Sequence, residues 1–339
     1  MRRIGYGWAA AALALLCAWS AAGHGGHLRV AQGLDASHGS SGIAAQEWQW
    51  TAAHENGVPT WVQQAASRVT IAVIDTGADL SVPAFAGRQV TTWNVATGTP
   101  DVSDGVGHGT FVASLAAGTL GFGGDAQLMI VQANSGSSTG FTDVAEANAI
   151  DWAVDHGANI VNLSLGGSQT SAVERSAIQY AIAKGVLLVA AAGNSAQSGN
   201  PAVYPAALIG RSGLVVGAAD AAGRRAPFSS TGSYVDLLAP GVNVLGALPA
   251  AVSAAGLFTA AATPGAEGRY GFGSGSSYSA PEVAGAAALV MAANPSYTPA
   301  QVAATLEQTA SGHGHWTMSR AFGNVNVAAA VRRALLDAS

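Results

Sequence analysis

Cysteine is almost absent from this chain: Cys17 is the single cysteine among 339 residues. It lies in an N-terminal segment that we expect to be removed, so the mature protein would have neither a thiol nor a disulfide. This excludes a cysteine nucleophile and a metal site built from cysteines. A lipoprotein anchor is also disfavoured, because Leu16 is not the small residue that such an anchor needs before its cysteine.

Charged residues are scarce as well. They make up 10% of the chain, and the formal net charge is −5. Lysines and arginines form no basic cluster, so the sequence does not predict a nucleic-acid partner. Apolar residues make up 49% of the chain. They fall in ordered runs, which favours a folded domain over a disordered chain.

Apolar segments long enough to span a membrane are missing. The N-terminal apolar stretch, residues 8–18, follows two arginines and is too short to span a bilayer comfortably. Ser20 and Ala22 have the small side chains that a signal peptidase accepts. We therefore predict a signal peptide over residues 1–22, cleaved after Ala22, and a secreted protein, extracellular or periplasmic, without a stable membrane anchor. A retained anchor and twin-arginine export are the alternatives.

The rest of the chain divides into a lead-in and one domain. Residues 23–45 lack periodicity and are predicted to be a flexible lead-in or short propeptide, and residues 46–339 form the domain. Apolar runs without polar alternation predict buried strands at residues 69–75, 127–133, 159–163, 185–191 and 213–218. Helical patterns occur at residues 107–117, 141–156, 171–184, 279–293, 298–310 and 325–336. This alternation predicts an α/β fold with a mainly parallel central sheet.

The first motif with candidate chemistry is V-I-D-T-G, residues 73–77, where an apolar strand ends in an acidic residue and a glycine turn. Ligands bind at the carboxyl ends of parallel strands. Asp75 can accept a hydrogen bond from a proton-bearing group there. Acid-ended strands also serve nucleotide and metal sites, so this motif alone leaves several functions open.

The second motif is G-H-G-T-F-V-A-S, residues 107–114. It places His108 between glycines at the start of a predicted helix, where small neighbours allow a substrate to approach the imidazole. A histidine that caps the helix or forms hydrogen bonds on the surface is an equal alternative.

The third motif is G-S-G-S-S-Y-S-A-P-E-V-A-G, residues 273–285, in which a glycine turn leads into serines and an Ala-rich helix. Free N–H groups and the helix dipole at a helix N-terminus favour an oxyanion. Helix capping is the alternative role of a serine there. Capping explains one serine but not the accompanying pattern S-x-A-P-x-V-A-G.

Taken together and in this order, the three motifs resemble those of the subtilisin-like serine proteases, whose triad follows the same order. Further matching segments are N-L-S-L-G-G (162–167), A-A-A-G-N (190–194), Y-P-A (204–206), F-S-S-T-G (228–232) and A-P-G-V (239–242). The resemblance runs from about residue 48 to residue 331. It implies a three-layer α/β/α fold and a serine endopeptidase.

The resemblance also implies a role for each site residue. Ser277 would be the nucleophile, His108 the general base, and Asp75 the residue that orients the imidazole. The side chain of Asn194 and the backbone N–H of Ser277 would form the oxyanion hole. A turn residue without a catalytic role is the alternative for Asn194.

An extended polypeptide substrate would pair with two backbone segments of the enzyme. By the resemblance, the residues of these segments are Ser137, Ser138, Thr139, Gly140, Ser164, Leu165 and Gly166. The pocket for the residue before the cleaved bond would be lined by Ala191, Ala192, Gly193 and Val203. Many relatives have glycine where this chain has Val203. We therefore predict a shallower pocket that prefers small or medium apolar residues.

The chain departs from the family pattern at several positions. Ser276 replaces a usual threonine, while Phe111 and Glu282 replace common histidines. We interpret Phe111 as a packing change and expect Glu282 near a helix N-terminus, where a carboxylate is favourable. Residues 120–125 replace a loop that often binds calcium, but they hold one carboxylate, whereas calcium prefers six or more oxygen ligands. We therefore identify no calcium site and no required cofactor, and calcium binding elsewhere stays open.

Two further segments are unusual. The lead-in is too short to form the folded propeptide that relatives carry, and residues 250–268 are predicted to be a long loop beside the cleft. The alternative functions are a catalytically inactive peptide-binding relative or scaffold, a secreted serine esterase, and a sugar- or metal-binding module. The esterase class has a different motif and triad order, and the histidine pairs at residues 24 and 27 and at 313 and 315 lack further ligands. We expect a monomer.

Overall fold

The computed structural model describes residues 48–135, 138–250, 258–260, 269–312 and 323–339. The predicted signal peptide and lead-in lie outside the described residues, as do Ser137 and both histidine pairs. Most of the predicted loop at residues 250–268 lies outside them too. Among the described residues, no helix is both long enough and apolar enough to cross a membrane.

A central sheet organises the described part of the chain. Its seven strands are β1 (Thr70–Asp75), β2 (Val90–Asn94), β3 (Gln127–Gln132), β4 (Ile160–Leu163), β5 (Leu187–Ala191), β6 (Leu214–Ala219) and β7 (Leu237–Pro240). They lie in the order β2-β3-β1-β4-β5-β6-β7. All neighbouring strands run parallel. Their carboxyl ends therefore meet at one edge, where ligands bind in such sheets.

A smaller antiparallel sheet packs beside the first. It consists of β8 (Val244–Ala247), β9 (Thr259–Ala260) and β10 (Tyr270–Gly273), with β10 in the middle. The pairing of β9 corrects part of the prediction of a long loop at residues 250–268. At least two residues of that segment belong to a sheet.

The helices of the described residues flank the central sheet. They are α1 (Trp48–Ala52), α2 (Thr60–Ala65), α3 (His108–Ala117), α4 (Asp143–Asp155), α5 (Ala172–Ala183), α6 (Ala206–Ile209), α7 (Ser276–Ala293), α8 (Pro299–Thr309) and α9 (Val327–Asp337).

Strand β1 shows how the layers form. Successive side chains of a strand point to opposite faces. Ile71 and Val73 join a hydrophobic core that includes α3 and α7, and Ala72 and Ile74 join a second core that includes α4 and α5. Helices therefore cover both faces of the sheet, and the predicted three-layer α/β/α architecture is confirmed.

All five predicted strands are present, with boundaries within two residues of the prediction. The edge strand β2 was not predicted, because only its last residue, Asn94, is buried and the run V-T-T-W-N lacks a continuous apolar stretch. Helix α7 begins at Ser276, three residues before its predicted start. This difference brings Ser277 into the first turn of the helix.

Candidate active site

Asp75 and His108 lie where the end of a strand meets the start of a helix. Asp75 ends β1 and is 1% exposed, while His108 begins α3. The Nδ1 atom of His108 lies 2.8 Å from Oδ1 and 3.0 Å from Oδ2 of Asp75. The N–H of Thr76 donates a second hydrogen bond to Asp75 Oδ1, at 2.7 Å. The carboxylate therefore fixes the imidazole through Nδ1 and leaves Nε2 on the opposite side of the ring.

Asp104 is a second buried carboxylate beside this pair, and the sequence analysis did not identify it. Its oxygens accept hydrogen bonds from the Thr76 hydroxyl, from the N–H groups of Val106, Gly107 and Thr110, and from the Thr110 hydroxyl. The Thr76 oxygen also accepts a bond from the N–H of Gly109, at 2.8 Å. Asp104 thus ties the end of β1 to the start of α3. No local pattern distinguishes Asp104 from the nearby Asp101, so no signal in the sequence indicated this role.

The electrostatic surroundings of His108 favour its protonated form. Burial by itself would lower the pKa of the imidazole. The charge of Asp75, its hydrogen bond and the charge of Asp104 outweigh burial, so the pKa of His108 is raised above its ordinary value of 6.5. The imidazolium that forms when His108 accepts a proton is therefore stabilised.

Ser277 is held through its backbone. Pro281, within α7, has no N–H, so the carbonyl of Ser277 lacks the helical donor four residues ahead. The hydroxyl of Ser164 donates to that carbonyl at 2.7 Å. Nδ2 of Asn162 in turn donates to the Ser164 hydroxyl at 2.9 Å. The end of β4 thus holds the first turn of α7 in place.

Asn194 lies in the turn after β5, next to the start of α7. Its Oδ1 accepts a hydrogen bond from the N–H of Ser276 at 2.8 Å, and the N–H of Gly193 donates to the Ser276 hydroxyl at 3.0 Å. A Cβ atom placed on Gly275 would lie 3.4 Å from Asn194 Nδ2. The amide donor of Asn194 therefore lies alongside the turn that precedes Ser277. The backbone N–H groups in the first turn of a helix have no intrahelical partner.

Ser230, in the F-S-S-T-G segment, supports this turn. Its N–H donates to the carbonyl of Gly193 at 2.9 Å, and its hydroxyl accepts a bond from the N–H of Ser195 at 3.1 Å. The segment therefore shapes the loop that carries Asn194.

Val203 fills the space between Gly193 of the predicted pocket and Gly166 of the predicted substrate segment. A Cβ atom on Gly166 would lie 2.7 Å from Val203 Cγ1, and one on Gly193 would lie 2.5 Å from Val203 Cγ2. Val203 is 9% exposed, and Ala191 and Ala192 are buried. The structure therefore brings the predicted pocket residues together, with the valine side chain between the walls.

The two predicted substrate segments lie before α4 and after β4. Ser138, Thr139 and Gly140 are exposed, as is Gly166, while Leu165 is buried. The carbonyl of Ser138 accepts a hydrogen bond from Asn134 Nδ2 at 2.7 Å, and its hydroxyl accepts one from the N–H of Gly140 at 3.1 Å. Exposed backbone is thus present in both segments. The Ser164 hydroxyl donates to the carbonyl of Ser277, and the role of the Ser164 backbone as a substrate contact stays a prediction.

Phe111 is a packing residue, as expected. It is fully buried, and its ring lies 4.9 Å from that of Phe258 and 4.5 Å from that of Tyr278, centroid to centroid. The Tyr278 ring also lies 5.6 Å from the His108 ring. This aromatic cluster joins α3, α7 and the smaller sheet next to the histidine.

Glu282 does not lie near a helix N-terminus, where the sequence predicted it. Because α7 begins at Ser276, Glu282 is beyond the first helical turn and is fully buried. The favourable effect of a helix N-terminus on a carboxylate falls off within the first turn, so that explanation of Glu282 is wrong.

Metal ligation is not apparent in the described part of the chain. Among the described residues, no three or more His, Cys, Asp or Glu side chains are grouped so that they could hold a metal ion. Asp125, the one carboxylate of residues 120–125, lies 3.1 Å from Arg88 Nη1. Arg88 also donates to the carbonyls of Gly118 and Gly124.

Comparisons with known proteins place this geometry in a family. The model of the Subtilase family matches residues 66–325. Subtilisin amylosacchariticus from Bacillus subtilis subsp. amylosacchariticus is 35% identical over 278 residues, which cover 78% of this chain. This chain spans 66% of the length of that relative. Subtilisin Savinase from Lederbergia lenta is 35% identical over 294 residues, which cover 84% of this chain and 96% of Savinase.

A solved structure gives the same assignment. Fervidolysin from Fervidobacterium pennivorans, a keratinolytic enzyme related to subtilisin, is similar with a TM-score of 0.75 and 28% identity. The similarity covers 88% of this chain and 47% of fervidolysin. The family match, the relatives and the shared fold lead to one conclusion: this chain belongs to the subtilase family, the subtilisin-like serine proteases.

Proposed function

We propose that this chain is a secreted serine endopeptidase that uses Ser277, His108 and Asp75. The observation that carries the proposal is the contact of His108 Nδ1 with both oxygens of a buried Asp75, at 2.8 and 3.0 Å. Ser277 is in the first turn of α7, which packs against α3, and the ring of the next residue, Tyr278, lies 5.6 Å from the His108 ring. An imidazole oriented by a carboxylate, with a serine in the first turn of a neighbouring helix, fits the arrangement that acyl transfer requires.

The proposed reaction has two stages. Ser277 Oγ attacks the carbonyl carbon of the scissile bond while His108 Nε2 takes its proton, and Asp75 stabilises the resulting imidazolium. The oxyanion of the tetrahedral intermediate accepts hydrogen bonds from the N–H of Ser277 and from Asn194 Nδ2. His108 then gives its proton to the leaving amine. Water, activated by the same histidine, hydrolyses the acyl-enzyme.

The substrate is an extended polypeptide that pairs with residues 138–140 and 164–166. Val203, set between Gly166 and Gly193, supports a pocket that takes small or medium apolar residues before the cleaved bond. Peptides that differ only at that position test the preference. Faster cleavage after Phe, Tyr or Lys than after Ala, Val or Leu would contradict it.

The activity itself is tested by comparing the purified protein with its Ser277→Ala variant on one peptide. Removing the nucleophile of subtilisin itself lowers kcat about 2 × 10⁶-fold, and we expect a loss of that order. Ser274→Ala is the matched control, because this nearby hydroxyl contacts only the N–H of Asn243 in the described structure and should leave turnover unchanged. A wild-type protein that binds peptides without cleaving them would instead be a peptide-binding relative.

A further inference from the structure

Two buried glutamates have no part in the proposed reaction. Glu146, in the first turn of α4, is 5% exposed, and Glu174, in the first turn of α5, is 2% exposed. The two helices pack against each other. Helix α4 begins three residues after Gly140, and α5 begins six residues after Gly166. The carboxylates therefore lie where both substrate segments lead into helices.

These carboxylates have few hydrogen-bond donors. Oε1 of Glu146 is buried without a hydrogen-bond partner. The hydroxyl of Thr170 donates to Oε2 of Glu174, and Asp143 adds a third acidic group. Burying a charged group without donors or a counter-ion costs several kcal/mol. Glu146 is therefore the unsatisfied acid of the pair, while Glu174 accepts hydrogen bonds from Thr170 and from the backbone of Ser171.

Acidic groups surround Glu146, and the exposed Arg175 is a cation beside Glu174. Burial, the charge of Glu174 and that of Asp143 raise the pKa of Glu146 well above its ordinary value. Burial also raises the pKa of Glu174, against a hydrogen bond from Thr170 and the neighbouring Arg175, which is exposed. A cation arriving from outside would supply the missing opposite charge.

The surroundings fit an organic cation. Among the residues that the structure describes, these acids are not grouped as ligands of a metal ion. Leu165 and the partly buried Phe141 belong to the same hydrophobic cluster, which packs between α4, α5 and the sheet. Arginine and lysine place an apolar stem along such a surface and a charged head beyond it, and charge-assisted bonds to carboxylates are strong.

We propose that Glu146 and Glu174 form a subsite for an arginine or lysine side chain of the substrate, upstream of the cleaved bond. The proposal rests on the proposed endopeptidase function and narrows its substrate class. Gly166 contacts Val203, which lines the pocket for the substrate residue before the cleaved bond. Substrate residues bound further along the two segments therefore come earlier in the substrate sequence. The preferred substrate thus has a small or medium apolar residue at the bond and a basic residue before it.

The test is a set of fluorogenic peptides in which a single arginine replaces glutamine at each of the second to fifth positions before the bond. At one position, arginine should raise kcat/KM at least about tenfold over glutamine, which is the effect expected of one charge-assisted hydrogen bond. Glutamate at the same position should lower kcat/KM. The double variant Glu146→Gln/Glu174→Gln should lose this preference and cleave the arginine and glutamine peptides at similar rates. Asp125→Asn, at an exposed carboxylate paired with Arg88, is the control for altered net charge and should keep the preference.

The outcomes separate the two proposals. If the glutamine peptides are cleaved in a Ser277-dependent way but arginine gives no advantage at any position, the subsite is refuted and the endopeptidase stands. The subsite is also refuted if the double variant keeps the preference for arginine. If the double variant does not fold, the two single variants are measured, and the subsite is refuted if each keeps that preference. If no peptide is cleaved, both proposals fail.

Discussion

Two pairs of buried carboxylates lie near the carboxyl edge of the sheet, and they differ in their hydrogen-bond donors. Asp75 and Asp104 accept bonds from an imidazole, hydroxyl groups and several backbone N–H groups. Glu146 has a buried oxygen without a partner, and Thr170 donates to Glu174.

The number of hydrogen-bond donors determines what a buried acid can do in this protein. Carboxylates that receive several donors hold their neighbours in place, as Asp75 and Asp104 do. That suits the orientation of His108. Carboxylates with few donors resist ionisation until a cation arrives, which suits recognition of a basic substrate side chain. The predictions below remove donors or charges from one group at a time.

Asn194→Ala removes a donor from the catalytic region and should have the largest effect. We expect kcat to fall about 10²–10³-fold with a small change in KM, a magnitude that comes from subtilisin itself. Asn194→Asp is the matched variant, since it keeps an acceptor for the N–H of Ser276 but lacks the amide donor. Steady-state kinetics on one peptide compare them. Turnover in the aspartate variant close to that of the wild type would show that Asn194 only supports the turn.

Glu55, at the start of a short 3₁₀ helix before α2, extends the comparison to a third donor-poor acid. It is 1% exposed, one oxygen accepts a bond from Gln63, and the other has no partner. Burial, opposed by the Gln63 bond, raises its pKa from 4.5 to about 7. The folded state therefore binds this proton more tightly than the unfolded state does, so Glu55 lowers stability as the pH rises from about 4.5 to 7.

Glu55→Gln should remove this pH dependence. Relative to the variant, the wild-type free energy of unfolding should fall by about 3 kcal/mol across that window. Denaturant unfolding at a series of pH values measures it, with the Ser277→Ala background used for both proteins to prevent self-digestion. Parallel stability curves for the two proteins would contradict the assignment.

Ser164→Ala removes the hydroxyl that donates to the carbonyl of Ser277. A single hydrogen bond contributes about 0.5–1.5 kcal/mol, so we expect kcat to fall by up to about tenfold with KM nearly constant. Ser168→Ala, at an exposed serine of the same segment, should change neither constant. If the loss appeared mainly in KM, Ser164 would act on substrate binding and not on the position of Ser277.

Asp104→Asn should give the smallest effect, which we expect in the pH dependence of kcat/KM. His108 must be neutral to accept the proton of Ser277, and Asp104 contributes to its raised pKa. The asparagine variant should therefore shift the acidic limb of kcat/KM to lower pH, by a fraction of a pH unit. Asp101→Asn, at an exposed neighbouring carboxylate, serves as the control. An unchanged limb would limit Asp104 to holding the loop.

The sequence predicted most of the continuously apolar elements, although the fully buried strand β7, L-L-A-P, was not predicted. Strands β1 and β3 to β6 and the helices between them carry clear periodic patterns, and the three motifs at their ends indicated the residues of the candidate site. The edge strand β2 escaped prediction because its residues are only partly buried. The start of α7 was misplaced because glycine and serine there indicate a turn as much as a helix.

Other features depend on contacts that no local pattern encodes. The role of Asp104 arises because folding brings Thr76 and Thr110 to its two oxygens. The pairing of Glu146 with Glu174 arises because α4 and α5 pack together across a separation of 28 residues. In the sequence, Glu146 and Glu174 are each typical of an acidic residue in the first turn of a helix.

The most direct measurement of the central proposal is the site of covalent labelling by a fluorophosphonate. The purified protein is treated with the reagent, digested, and analysed by mass spectrometry. We expect the phosphonyl group on Ser277, with labelling lost in Ser277→Ala and strongly reduced in His108→Ala. A protein that stays unlabelled, or one labelled at another serine while Ser277 is unmodified, would contradict Ser277 as the nucleophile.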